Sequence, residues 1–378
     1  MRLTPGFIAL SALLTMLAQS PRALFCQNRE TQNSPAPSVS SAADGIFAAF
    51  IRRPLVALGD DHGMAQEEDF YASLVRDKRF VDEVGNVVVE FGDAAQQATL
   101  DRYLDGEEVP YEVLRRVWSD TVGWIPTVNA MGYINFFVQV REVNRGLPPE
   151  KRIHVWLGDP PIDWSKVKTS EDFRPKLDQR NQYPSELIRT EILAKKKKAV
   201  VIYGGFHFYG DNSLRSLVEH DYPEAFYLVT PYRGFTDPVC SEAFEETARN
   251  WPNPALAEPV HGTNLETLLR SRNCHFLSAG SIDFGPGVSQ EDAAKRMAEL
   301  EERFSGVAGD ALLFLGPAAT LTYSPQSGDL YLDAGFRREI ERRRVIEIGQ
   351  PLPFPPVIPP ASPQYLHPET RNGKDTKK

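Results

Sequence analysis

Leu55-Val56-Ala57-Leu58-Gly59-Asp60-Asp61-His62-Gly63 is the stretch on which the fold turns. Its apolar opening is too short for a helix and does not alternate with polar residues, so it reads as a strand covered on both faces, as in a parallel sheet. The chain then turns at Gly59 and sets two carboxylates and an imidazole just past the strand, where open parallel sheets bind ligands. Working outward, similar continuous runs predict strands over 55–58, 87–91, 153–157, 199–203, 225–229 and 311–315. Between them, apolar residues at helical spacing predict helices over 67–84, 96–104, 128–144, 185–198 and 290–304. Asn144-Arg145-Gly146 before Pro148-Pro149 is a helix stop, and Lys195 to Lys198 reads as a solvated helix end where cations suit the dipole. This alternation implies an α/β fold: a central, mostly parallel sheet flanked by helices, with functional residues at the carboxyl ends of the strands.

Composition supports a globular chain and excludes wholesale disorder or a fibre: of 378 residues, 42% are hydrophobic and 25% charged. A net charge of −9 argues against nucleic acid as a partner. Met1 to Gln27 holds one early cation, Arg2, and an apolar run from Phe7 to Ala18, too short for a bilayer span and suited to an export signal. The expected organisation is a signal peptide over 1–26, a disordered linker over 27–44, one α/β domain over 45–349 and a Pro-rich disordered tail over 350–378. The mature chain is then periplasmic or secreted, with no integral membrane span. Lipid anchoring at Cys26 is the weaker alternative, because Ala23-Leu24-Phe25 lacks the small residue such a site places before its cysteine. Cys240 and Cys274 either form a disulfide or remain small buried thiols.

The chemistry gathers past the predicted strands. After the first come Asp60, Asp61 and His62; the second ends in Glu90-Phe91-Gly92, the third in Gly158-Asp159-Pro160, and the fourth in Gly204-Gly205-Phe206-His207. Two imidazoles and several carboxylates on one edge can form a histidine general base held by a carboxylate, with a second histidine to protonate or stabilise charge. The same nitrogen and oxygen donors, His62, Glu90 and His207, also suit a divalent zinc or manganese ion. Each residue has a plainer alternative, since a histidine after a strand can cap a turn and Gly158-Asp159-Pro160-Pro161 can be only a turn. His154 falls inside a strand and reads as a core histidine, while His220, His261, His275 and His367 carry no functional expectation. Trp118 to Trp124 reads as core or as an apolar pocket wall. No G-x-S-x-G, G-x-G-x-x-G, G-x-x-x-x-G-K or H-E-x-x-H occurs, which removes the usual support for serine hydrolase, dinucleotide, nucleoside triphosphate and zincin readings.

At these residues the sequence resembles the superfamily that joins the erythromycin esterases, the ChaN-like haem-binding uptake proteins and the Tiki metalloproteases. Gly59-Asp60-Asp61-His62 matches that group's Gly-Glu-x-His with aspartate for glutamate, Val89-Glu90-Phe91 its strand-ending glutamate, and Gly204-Gly205-Phe206-His207 its Gly-x-x-His. Gly309-Asp310-Ala311 is similar to its closing Asp-Ala strand, so the resemblance spans roughly residues 54 to 322. It implies ester hydrolysis without a required metal in one branch, metal-dependent peptide cleavage in another and haem binding in a third.

The leading reading is an exported hydrolase of ester or amide bonds, acting on a small molecule or peptide. In it His62, oriented by Asp60 or Glu90, takes a proton from water, and His207 stabilises charge or protonates the leaving group. Asp61 and Asp159 are candidate binding residues. The alternatives are a haem or other apolar-ligand binder, a metal-dependent peptidase, and a scaffold that has lost its chemistry. The cofactor is accordingly none, a zinc or manganese ion, or haem. Haem binding needs only an axial ligand and apolar walls, so two histidines with several carboxylates favour hydrolysis. Placed at a strand edge, both histidines are expected to serve function more than core packing.

Overall fold

A computed structural model describes residues 34–123, 129–235, 237–269 and 309–352. The expected signal, Cys26, Trp124, Cys274, the helix over 290–304 and the tail beyond Leu352 lie outside these residues. Eight strands form one sheet: β1 (Ser38–Ser41), β2 (Leu55–Asp60), β3 (Asn86–Asp93), β4 (His154–Asp159), β5 (Ala199–Gly204), β6 (Phe226–Pro231), β7 (Ala255–Glu258) and β8 (Ala311–Phe314). Their order is β1-β7-β8-β6-β2-β5-β3-β4. From β8 to β4 the pairings are parallel, and β7 and β1 add antiparallel to the β8 edge.

Successive strand residues face opposite sides, and both sides are covered. In β2, Val56 and Leu58 join the core under helices Ala65–Arg76, Gln97–Leu104 and Met131–Arg145, where Phe70, Leu100 and Phe136 pack. Leu55 and Ala57 join a second core with Ile188, Ile192, Leu214 and Val218. A third cluster around Phe244 and Phe314 lies by β7 and β8, and it includes Cys240, which is disulfide-bonded. All six predicted strands are present, as continuous apolar runs covered on two faces should be. Among the described residues no helix is long and apolar enough to cross a membrane.

Several expectations need correction. The linker expected over 27–44 gives its last part to the fold: Ser38–Ser41 pairs with β7, and Ser41 caps helix Ala42–Arg52 by accepting from the Asp44 amide. Ser-Val-Ser-Ser is too short and polar to announce a strand; pairing with β7 supplies what composition does not. The helix expected over 67–84 is two, Ala65–Arg76 and Lys78–Glu83. They break at Asp77, whose side chain accepts from the Arg79 amide instead of continuing the first helix. The segment over 185–198 begins as helix Gln182–Leu187 and widens into a π-helical turn at Ile188–Leu193. Met131–Arg145 stops at Gly146 as predicted, and the Asn144 amide locks that stop to both backbone groups of Ile153, at 2.9 and 2.8 Å.

Candidate active site

After β2 the chain crosses to β3 and β4 on one side, returns to β5 beside β2, and then passes to β6 on the other side. This reversal opens a crevice at the carboxyl ends of β2 and β5, the usual ligand position in such sheets. Asp60 closes β2 opposite Gly204, the last residue of β5. Its carboxylate lies 2.7 Å from His62 Nδ1 and accepts hydroxyl protons from Tyr71, at 2.9 Å, and from Tyr133. Tyr133 is held in turn by stacking on Phe91 at 4.1 Å and by the Gly63 amide, which donates to its oxygen. Asp60 is thus a fixed acceptor that keeps the His62 proton on Nδ1 and aims Nε2 at the crevice.

Glu90 does not end its strand. β3 continues to Asp93, but its register with β4 slips after Val89, and such irregularities commonly re-aim a side chain beside a site. Glu90 Oε2 accepts the Gly204 amide at 2.6 Å and lies 3.8 Å from His62 Nε2; Oε1 lies 3.2 Å from His207 Nε2 and accepts from Arg180. Arg180 also donates to Asp159 at 3.2 Å, and Asp159 accepts the Val122 amide. His207 Nδ1 faces Asn181 Oδ1 at 2.6 Å, an amide oriented by its own donation to the Asn212 carbonyl. Both histidines keep a limited opening to solvent, 20% for His62 and 13% for His207, whereas Glu90 is closed off.

These neighbours set the protonation states. Burial alone would lower the His62 pKa, but the charge of Glu90 and the hydrogen bond and charge of Asp60 raise it to about 9. Burial opposes ionisation of Glu90 too, yet His207, His62 and Arg180 together hold it well below the usual carboxylate range. Burial pushes Asp159 up to about 7 despite the opposing pull of Arg180 and the Val122 amide.

His62, Glu90, His207 and Asp60 therefore meet at one place. Asp159 reaches them only through Arg180, and Asp61 is paired with Arg233 at 3.0 Å while its amide donates to Glu67 at 2.7 Å. Sequence reasoning missed Arg180, Asn181, Tyr71, Tyr133 and Glu67. Arg180 and Asn181 belong to the connection between β4 and β5, so no search past strand ends finds them. The two tyrosines lie on helices whose apolar spacing reads as core. His154 packs its ring on Trp156 at 4.1 Å, in keeping with a structural role.

The donor set does not fit a divalent ion. Among the described residues no group of three or more His, Cys, Asp and Glu side chains is placed to hold a metal. The reason is chemical: both Glu90 oxygens already serve the Gly204 amide, Arg180 and His207, and the guanidinium supplies the local positive charge. Nor is an axial haem ligand prepared at His207, whose two ring nitrogens both face acceptors.

Gly204 is required by this geometry. A Cβ there would lie 2.8 Å from His62 Nε2 and 3.3 Å from Glu90 Oε2. Gly204→Ala is expected to displace the His62 ring, with about 1–3 kcal/mol of overpacking cost. Denaturant melts and the His62 ring resonances check this, and an unmoved ring with unchanged stability would show that the site relaxes around the added methyl group.

No known family matches this sequence, and no curated protein does. Among solved structures, a protein from Bacillus cereus is 12% identical with a TM-score of 0.42, covering 75% of this chain and 99% of that one. The type III effector HopBA1 is 16% identical with a TM-score of 0.31, over 55% and 89% of the two chains. ChaN of Campylobacter jejuni, described with cofacial haem, is 9% identical with a TM-score of 0.31, over 51% and 87%. These are distant likenesses of fold.

Proposed function

We propose that this chain hydrolyses an ester or amide bond by proton transfer through His62. The observation that carries the reading is the Asp60–His62 contact of 2.7 Å, with Asp60 fixed by Tyr71 and Tyr133 and Nε2 turned toward the crevice shared with His207. Neutral His62 takes a proton from water at Nε2 as the water oxygen bonds to the carbonyl carbon. The tetrahedral oxyanion then collapses, the bond to the leaving group breaks, and that group receives a proton from His62 or His207. Arg180, held by Glu90 and Asp159, keeps positive charge beside the developing oxyanion.

The test is turnover on a panel of small esters and amides as a function of pH. A base with a pKa of about 9 must first lose its proton, so kcat/KM is expected to rise about tenfold per pH unit up to that value and then level. A Soret band on haem addition with no turnover on any ester or amide replaces this reading with haem binding, and loss of turnover on chelation replaces it with a metal mechanism.

A further inference from the structure

Behind the Asp60–His62 pair lies Glu67, in the first turn of helix Ala65–Arg76 and fully enclosed. Its Oε2 meets the Asp61 amide at 2.7 Å and the Tyr71 hydroxyl at 3.0 Å, while its Oε1 has no hydrogen-bond partner among the described residues. The same Tyr71 hydroxyl lies 2.9 Å from Asp60 Oδ1. A tyrosine hydroxyl has one proton, and here it stands between two carboxyl groups. Were both ionised, one of the two oxygen–oxygen contacts would contain no hydrogen and would press electron-rich atoms together in a dry interior. The chain Asp60–Tyr71–Glu67 must therefore hold one further proton.

Its location is set by the surroundings. Asp60 faces donors from Tyr133 and from His62 Nδ1, which compensate its charge. Glu67 faces Asp60 and Asp61 from the end of β2, Tyr71 from its own helix and Tyr323 from the segment beside Met64, and the cation Arg233 is engaged by Asp61. Burial first, and then the charges of Asp60 and Asp61, push its pKa well above the usual carboxylate range. A carboxylic acid hydroxyl at Oε2 can also accept the Asp61 amide while donating to Tyr71, which satisfies both partners of that oxygen.

We propose that Glu67 is a positioning residue that stays protonated at neutral pH and donates to Tyr71, so that Tyr71 gives its own proton to Asp60 and Asp60 remains the acceptor for His62. This rests on His62 as the proton-transfer residue, but it is tested by protonation and not by turnover, so the two readings fail separately.

The experiment is an NMR titration of the full chain with labelled histidine and glutamate. In the unsubstituted protein the Glu67 carboxyl carbon is expected at its acid position from about pH 5 to 8. Glu67→Gln removes no charge from a neutral acid, so the His62 midpoint should move by less than about 0.3 of a pH unit. The His62 Nδ1 proton resonance, which reports the bond to Asp60, should shift in Glu67→Leu and be restored in Glu67→Gln. A carboxylate position for Glu67, or a His62 midpoint lowered by about one unit or more in Glu67→Gln, overturns the proposal. An unshifted Nδ1 resonance in Glu67→Leu overturns the positioning role, and where that variant does not fold, the Glu67 carboxyl position in the unsubstituted chain still decides the protonation state.

Discussion

In the proposed hydrolysis, His62→Gln is expected to lower kcat/KM by about 10³-fold at about pH 9 and above, where the unsubstituted base has lost its proton, and by less at lower pH, because an amide can neither take nor return the proton at Nε2. The amide can still donate to Asp60, so the Tyr71 and Tyr133 contacts should survive. Stability should change as well. In the folded chain His62 has a pKa near 9, above the ordinary 6.5, because it lies between Asp60 and Glu90. A group with a raised folded pKa contributes stability that is complete below its unfolded pKa and is lost as pH rises through the folded one. The variant should therefore lose on the order of 2 kcal/mol at about pH 6 and progressively less toward about pH 9 and above. Strand-edge placement alone predicts a mutation without a stability cost; the two flanking carboxylates change that. Turnover within tenfold of the unsubstituted chain would remove His62 from the mechanism, and a stability loss independent of pH would make its role one of packing.

Arg180→Leu should have the largest effect on folding. The guanidinium joins Glu90 and Asp159, which are 3% and 2% exposed, and its loss leaves two buried carboxylates without their common cation. Breaking such an arrangement from one side costs about 3–5 kcal/mol. The pH dependence identifies the cause. Without Arg180 both carboxylates lose a lowering influence, so their folded pKa values rise. The deficit should be greatest at about pH 8, where ionisation is forced, and shrink toward about pH 5 as the groups take up protons. Urea unfolding at the two pH values measures it. An equal deficit at both would mean that Arg180 contributes through its aliphatic stem and not through its charge.

Much of this site was legible because strand-end logic is local. Leu55 to Leu58 and Ala199 to Tyr203 read as strands buried on two faces, and the residues after such strands emerge at one edge; this reading put Asp60, His62 and His207 at the same edge. Glu90 was found by the same reasoning, although its strand runs three residues further, to Asp93. The short antiparallel strands β1 and β7 were not legible, since four residues such as Ser-Val-Ser-Ser form a strand only when a neighbour offers a free edge. Helix Ala334–Ile348 escaped for a related reason: its charges surround it, and buried Arg343 is accommodated by Asp120 at 2.7 Å, Glu339 at 2.8 Å and the Ser119 carbonyl at 3.0 Å.

By itself, then, the sequence determined the parallel sheet and the meeting of two imidazoles with Asp60 and Glu90, because continuous apolar runs and the residues after them obey rules that need no knowledge of distant contacts. Only the tertiary structure decided what those groups can do. Arg180 and Asn181 arrive on the path between β4 and β5, and Tyr71, Tyr133 and Glu67 arrive on helices packed behind β2. A pKa or a proton's position depends on charges and hydrogen bonds within a few ångströms, and those distances are set by how separate segments pack against one another.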